Sequence, residues 1–584
     1  MTFSKATRAH DVQTLKQTEF DLLIIGGGIT GAGVAIQAAA AGMKTALIDM
    51  QDFGGGTSSR STRLVHGGIR YLKTFDVEVV SETVKERAVV QHIAPHMTTP
   101  DPMILPIYDE PGTTFSMFSV KIAMDLYDRL AGVPETPNLM KYANYTLTKE
   151  EVLKREPQLN PDHLVGAGVY LDYQNNDSRL VLENIKRAHD EGGIMMSRMK
   201  AKKVLHDHGE VCGVTVEDVM TGEIFDVKAK LVLNASGPWS DDVRHLDNLG
   251  DIADHMRPTK GVHLVVDSSR LNVPQPTYFG SGTNDGRMIF TIPREGKTYF
   301  GTTDTDYDGD MTNPQVTQAD VDYLLNIINK KYPSAHLTID DVESSWAGIR
   351  PLMAPPTTTP SGIEPDATTG ASAAASLTPS SVSRGSSLIV AEDGLITLAG
   401  GKLTDYRVMA NGAMKKIRQL LRDEYLDTFP EVDSAELKVS GGDFDSNRVE
   451  AEMARFVEYG QVHGLPQAEA REIATLFGSN ALQIFDAVDD TVAAPNLTQG
   501  ETAALHYSLE NEMTLSAVDY LLRRTYHVLF GSDVDRVKVG VVAEMARVLG
   551  WDAIETAKQN AEVDRVLADA QLVDLKAGKQ AKAV

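Results

Sequence analysis

The first long apolar run of the chain is Phe20 to Ile25, broken only at Asp21, and it reads as a strand buried on both faces. Gly26-Gly-Gly28-Ile-Thr-Gly31 follows at once, and Ala32 to Ala41 is an alanine-rich helical stretch. Gly42 ends that turn, and Lys44 to Asp49 reads as the next strand. The leader to Thr18 is expected as an external helix. Helical periodicity recurs at Asp76–His92, Ser116–Leu130, Leu147–Arg155, Ser178–Glu191 and Gln318–Lys331. Thr148 and Glu151 have capping-box spacing. Met103–Ile107 and Val169–Tyr173 read as strands. Lys202–His206, Val211–Asp218 and Phe225–Ala229 read as a meander, leading into a buried strand that ends at Asn234-Ala-Ser-Gly-Pro-Trp239. Val262–Val266, Met288–Pro293 and Thr298–Asp304 point to a second sheet. Gly394 to Arg407 gives a strand, a second glycine turn, and a helix from Thr404 to Leu421. From about 430 the pattern is helical and is expected to form a separate cap.

The opening strand, turn and helix form a β-α-β unit with a dinucleotide fingerprint. Gly26 allows the tight turn, Gly28 lets backbone approach a pyrophosphate, and Gly31 lets helix pack on strand. The helix N-terminus adds unpaired N–H groups and partial positive charge. Asp49, at the tip of the second strand, is placed to accept from ribose hydroxyls. This fingerprint leaves FAD and NAD both open. The stretch Gly54 to Leu72 is rich in glycine, hydroxyls and arginine, yet contains Val65, Ile69 and Leu72, so it is expected at a site rather than on a free surface.

Composition narrows the options. A chain of 584 residues is too long for one core. Its net charge of −25 argues against nucleic acid and against docking on anionic lipid. A single cysteine, Cys212, leaves no internal disulfide and no multi-cysteine metal site. The histidines show no HExxH pattern, so no metal is expected. No apolar run is long enough for a membrane span, and the N-terminal residues lack a secretory leader's apolar core. A cytoplasmic setting is expected, with peripheral association at the inner face of the membrane left open. Ala354 to Ser387 is low-complexity and reads as a surface insertion.

Four stretches carry a family resemblance: Gly54 to Leu72, Asn234 to Trp239, Gly348-Ile-Arg-Pro-Leu352, and Gly400-Gly-Lys-Leu-Thr-Asp-Tyr-Arg407. With Asn511 to Arg524 in the helical region, they resemble the FAD-dependent glycerol-3-phosphate dehydrogenases over nearly the whole chain. Ile29–Gly33, Met50–Phe53, Asp76–Val80, Ala88–Pro95 and Val382–Leu388 resemble its bacterial α-glycerophosphate oxidase branch most. The insertion here is shorter than that branch's. The resemblance implies an α/β fold: a Rossmann-like FAD-binding domain of the glutathione-reductase/D-amino-acid-oxidase type, a β-sheet substrate domain and an all-α C-terminal domain. The oxidoreductase region would be 1–429, with FAD-binding segments near 20–100, 150–250 and 390–425, and substrate segments near 100–150 and 252–350. The helical domain would be 430–584.

The resemblance further implies oxidation of sn-glycerol 3-phosphate to dihydroxyacetone phosphate, with FAD as cofactor. His263 would be the base, with Arg350 and Arg384 near the substrate hydroxyls and flavin. Arg70, Tyr71 and Lys402 would hold the phosphate. FAD would be held by Gly26, Gly28, Gly31 and Asp49, by Thr57, Ser58 and Ser59, by His66, Gly67 and Gly68, by Ala235 and Gly237, and by Gly401, Leu403 and Thr404. Arg287 and Asp304 are weaker candidates, with structural roles at least as well supported. Dioxygen is the expected acceptor, giving hydrogen peroxide; a membrane quinone is the alternative. A flavoprotein without turnover and an amine or amino-acid oxidase on a related fold are competing readings. The oligomeric state is left open, a homodimer included.

Overall fold

The strand Glu19–Ile25 is central in an eight-stranded sheet, and every residue after Glu19 is buried. It pairs in parallel with Ile224–Asn234 on one side and Thr45–Ile48 on the other. Ile194–Met196 and Ile396–Gly400 extend the parallel set outward. The C-terminal ends of these strands therefore emerge together, carrying Gly26, Asp49, Ala235 and Gly400. That edge is where open α/β sheets bind ligands. Helices Ile29–Ala40, Asp177–Asp190 and Tyr406–Tyr425 share one apolar core with the sheet, including Ala32, Ala35, Leu180, Ile185, Ala410 and Ile417.

This computed structural model describes residues 2–69, 77–110, 115–133, 137–247, 254–283, 286–353 and 386–578. Arg70, Tyr71 and Arg384 lie outside the described residues. Of the low-complexity stretch, Ser386 and Ser387 are described, opening the strand Ser386–Val390.

A second sheet has ten strands. Met256–Asp267 pairs antiparallel with Lys297–Gly301 and with Val342–Met353. The chain crosses to this sheet early, because Leu64–Val65 pairs with Leu164–Asn175. The strand Leu164–Asn175 is a correction: the sequence groups it with the nucleotide segments, but it pairs with Thr98–Tyr108 in the second sheet. It is buried on both faces, so its near-continuous apolar run imitates a parallel strand. The expected third meander strand and the strand after it are one, Ile224–Asn234. Its first half pairs antiparallel with Glu210–Asp218, its second half parallel with Glu19–Ile25.

The helical region is less separate than its sequence suggests. Leu505, Val528, Phe530 and Val541 share a core with Val265, Tyr299 and Trp346 of the second sheet. Fully buried ion pairs tie it to the first. Glu512 accepts from Arg179 at 2.9 Å and Lys186 at 3.0 Å, and Asp52 accepts from both Arg523 and Arg524.

Candidate active site

A cavity of about 630 Å³ runs from the C-terminal edge of the first sheet to the face of the second. At one end the glycine turn forms its wall. Gly26 has φ +112°, and a Cβ there would sit 2.5 Å from the Ala235 carbonyl oxygen, so the turn needs glycine. Gly28 is the N-cap of the helix Ile29–Ala40, and with no side chain it leaves the cavity side of the first turn clear. Ser58 Oγ accepts from the Ile29 N–H at 2.9 Å. Asp49 accepts from the Gly27 N–H through one oxygen and from the Gln51 N–H through the other, each at 2.7 Å. A carboxylate oxygen has capacity beyond one bond, so both can still receive ribose hydroxyls. Burial nevertheless pushes the Asp49 carboxyl up to about 6, against the pull of those two N–H groups.

At the other end His263 projects from Met256–Asp267. Its ring stacks on Trp346, with centroids 4.7 Å apart and planes 13° apart. Its Nε2 lies 3.1 Å from Thr62 Oγ1. A Cβ on Gly301, directly opposite, would meet the imidazole at 2.5 Å, so glycine there makes room for the ring. Burial lowers the His263 pKa well below 6.5, and Arg350 and Arg63 lower it further. The ring is therefore neutral near pH 7. Arg350 donates to Asp304 Oδ1, Thr302 Oγ1 and the Thr303 carbonyl, each at 3.0 Å. Its guanidinium passes over Gly261, where a side chain would collide. Lys402 lines the same wall from the second glycine turn, followed by Leu403 and Thr404. The Thr404 hydroxyl bridges the His66 N–H and carbonyl, 3.2 Å from each.

The cavity wall thus brings together Gly26, Gly28, Asp49, Thr57, Ser58, His66, Ala235, Gly237, His263, Arg350, Gly401, Lys402, Leu403 and Thr404. Four expected cofactor contacts lie off it. Gly31 is inside the helix against the Gly26 carbonyl, a packing position. Ser59 is buried on the far side of its turn. The Gly67 N–H donates to Tyr127 Oη at 2.9 Å, away from the cavity, and Gly68 follows it out with φ +68°. The sequence reading missed Thr62, Thr302 and Trp346. Gly261 and Gly301, unexpected inside strands, were the available signal of close approach. Of the weaker candidates, Asp304 holds Arg350, and Arg287 donates to the Asp304 carbonyl.

A side-chain-free helix N-terminus, an acid with spare acceptor capacity and a glycine-lined cleft form a donor and acceptor set that fits FAD. Residues 21–371, more than half the chain, match the FAD dependent oxidoreductase family. The protein is therefore an FAD-dependent oxidoreductase. Residues 432–556 match the C-terminal domain of alpha-glycerophosphate oxidase. The chain is 54% identical to the alpha-glycerophosphate oxidase of Enterococcus casseliflavus, over 99% of this chain and 100% of that one. It is 53% identical to that of Lactococcus lactis, with the same coverage. A solved structure, the glycerol-3-phosphate dehydrogenase of Bacillus halodurans complexed with FAD, is 34% identical, with a TM-score of 0.79 over 97% of this chain and 98% of that one. The chain belongs to the α-glycerophosphate oxidase family.

Proposed function

We propose that this protein oxidises sn-glycerol 3-phosphate at C2 to dihydroxyacetone phosphate, with dioxygen as acceptor and hydrogen peroxide as the second product. The observation that carries the reading is a neutral, buried histidine beside a fixed guanidinium, with a lysine on the wall of the same cavity. Bound FAD supplies the acceptor for the hydride leaving C2 and the route for its electrons to dioxygen. His263 takes the proton of the C2 hydroxyl at Nε2, the nitrogen on the side of Thr62. Trp346 and Thr62 fix its ring plane, so little reorganisation accompanies the transfer. Arg350, locked by Asp304, Thr302 and Thr303, presents positive charge to the oxygen that becomes the ketone. Lys402, which lines the cavity, would hold the phosphate dianion together with Arg70 and Tyr71. Gly26, Gly28, Asp49 and Ser58 would hold the pyrophosphate and ribose end of FAD. Gly401 and Thr404 would hold the flavin end, and Arg384 would act near the substrate hydroxyls.

The rival is delivery of electrons to a membrane quinone. The solved relative at 34% identity is named a dehydrogenase, whereas the relatives above 50% are named oxidases, and this favours dioxygen. Among the described residues no helix is long and apolar enough to cross a membrane. On this reading the enzyme works in the cytoplasm. The test of the chemistry is His263→Asn, followed by stopped-flow reduction of the flavin by glycerol 3-phosphate without oxygen. We expect the reduction rate to fall by about 10²–10⁴-fold with FAD retained. An unchanged rate removes His263 as the base.

A further inference from the structure

A second cleft, of about 690 Å³, lies behind the first, between the loop that follows Asp49, the strand Val342–Met353 and the C-terminal helices. One wall is cationic. Arg60, Arg198 and Arg523 line it; behind them Arg198, Arg523 and the buried Arg524 gather around two carboxylates, Asp52 and Asp519, and Arg60 stands beside Arg523. Arg60 has no carboxylate within ion-pair distance among the described residues. Its side chain donates to the Thr312 carbonyl at 3.1 Å. Burial and the like charge of Arg523 push its pKa down to about 10, against the pull of the Asp310 carboxylate nearby. In a chain of net charge −25, a largely buried cluster with surplus positive charge is a local reversal of sign. The facing helix Ala553–Ala570 brings Glu555, Glu562 and Asp569. Lys558 offsets Glu555 at 3.6 Å, and Arg565 offsets Asp569 at 3.3 Å. The cleft's apolar side is formed by Trp346, Trp551 and Leu529.

We propose that this cleft binds a phosphate monoester, its phosphate against Arg60, Arg198 and Arg523 and its apolar body against Trp346 and Trp551. The surplus charge suits a dianion, which a phosphate monoester approaches at neutral pH, and guanidiniums match its oxygens in pairs. The cleft is wired to the first cavity. Ser345, Trp346 and Ala347 line the cleft, while Gly348, Arg350 and Pro351 of the same strand line the first cavity. Trp346 offers one edge to the cleft and stacks on His263. Arg60 and Thr312 border both spaces. A ligand here therefore bears on the setting of His263.

The test uses the holoenzyme and two probes, inorganic phosphate and phenyl phosphate, with acetate as the monoanionic control. Phosphate also enters the first cavity, but Trp551 lines the cleft alone. The readout is thus the tryptophan fluorescence of the wild type minus that of Trp551→Phe. We expect a saturable Trp551 signal with both phosphates, tighter for phenyl phosphate, and a much weaker one with acetate. Arg198→Gln, which leaves Asp519 paired to Arg523, should weaken the midpoint by about tenfold. A flat Trp551 signal, a midpoint unmoved by Arg198→Gln, or acetate binding as well as phosphate overturns the proposal. Should Arg198→Gln fail to fold, the wild-type difference titration alone decides. No turnover is measured, so the outcome is independent of the reaction proposed above.

Discussion

Two glycines of one fingerprint do different physical work, and substitution separates them. A Cβ on Gly28 would lie 3.1 Å from Ser58 Oγ and on the cavity wall, with unstrained backbone. Gly28→Ala should fold normally and lose FAD affinity, read by the ratio of bound flavin to protein. A Cβ on Gly31 would meet the Gly26 main chain instead. Gly31→Ala should lower the melting temperature of the apoprotein as well, because backbone rather than a flexible side chain must move. The pH dependence also belongs to single residues. Protonating Asp49 removes acceptor capacity that the Gly27 and Gln51 N–H groups and the ribose all use. FAD should therefore bind the apoprotein more weakly as pH falls through about 6, the value to which burial raises that carboxyl. His263 gives a different profile. Its pKa is held well below 6.5, so flavin reduction should stay level from neutral pH down to 6.5 and fall only at more acid pH. A break near or above 6.5 would contradict this. At this scale Gly26, Gly28 and Asp49 were legible, because their types follow from a local turn. Thr62 and Trp346 were not, because their roles come from contacts across 201 positions, as between Thr62 and His263.

The element that joins the two sheets is the loop from Thr57 to His66. Thr57 Oγ1 donates to the Ile349 carbonyl, Trp346 Nε1 donates to the Ser61 carbonyl at 3.0 Å, and Tyr299 Oη donates to the Thr62 carbonyl at 3.0 Å. The sequence marked this stretch as a site by its composition, but the density of its cross-links depends on strands nearly three hundred positions away. Helix starts were more legible, because caps are local. Thr148 accepts from the Glu151 N–H, and Glu151 accepts from the Thr148 N–H at 2.8 Å, as their spacing implied. Thr148→Ala should reduce stability by about 1 kcal/mol in denaturant unfolding. The strand Leu164–Asn175 was misassigned for a physical reason: burial on both faces erases the alternation that marks an antiparallel strand. Asp304→Asn tests the element that carries Arg350. It should reduce the rate of flavin reduction while leaving FAD content unchanged, since the guanidinium loses its charged anchor but no cofactor contact.

Across the whole molecule, the helical region is packed and ion-paired to both sheets. Glu512 is fully buried and compensates Arg179 and Lys186 of the nucleotide part. Glu512→Ala should cost about 3–5 kcal/mol, because it leaves Glu183 alone to balance two buried cations, Arg179 and Lys186. For the same reason a fragment ending at 429 should fail to retain FAD. The separate cap implied by the helical periodicity cannot reveal this, since periodicity reports which face is apolar and not what covers it. Acid lability is a global consequence too. His96 and His263 are both held neutral in the fold, their pKa values well below 6.5. The unfolded chain binds more protons as pH falls below 6.5, so stability should decline in that range. One measurement tests whether a substrate is oxidised at the cavity between the sheets with dioxygen as the final acceptor. The yellow holoenzyme is mixed without oxygen with glycerol 3-phosphate, the bleaching of the flavin is followed, and air is then admitted while peroxide is assayed. Full bleaching is expected, then return of the yellow colour with one peroxide per flavin. No bleaching, or bleaching followed by slow recolouring without peroxide, would contradict it.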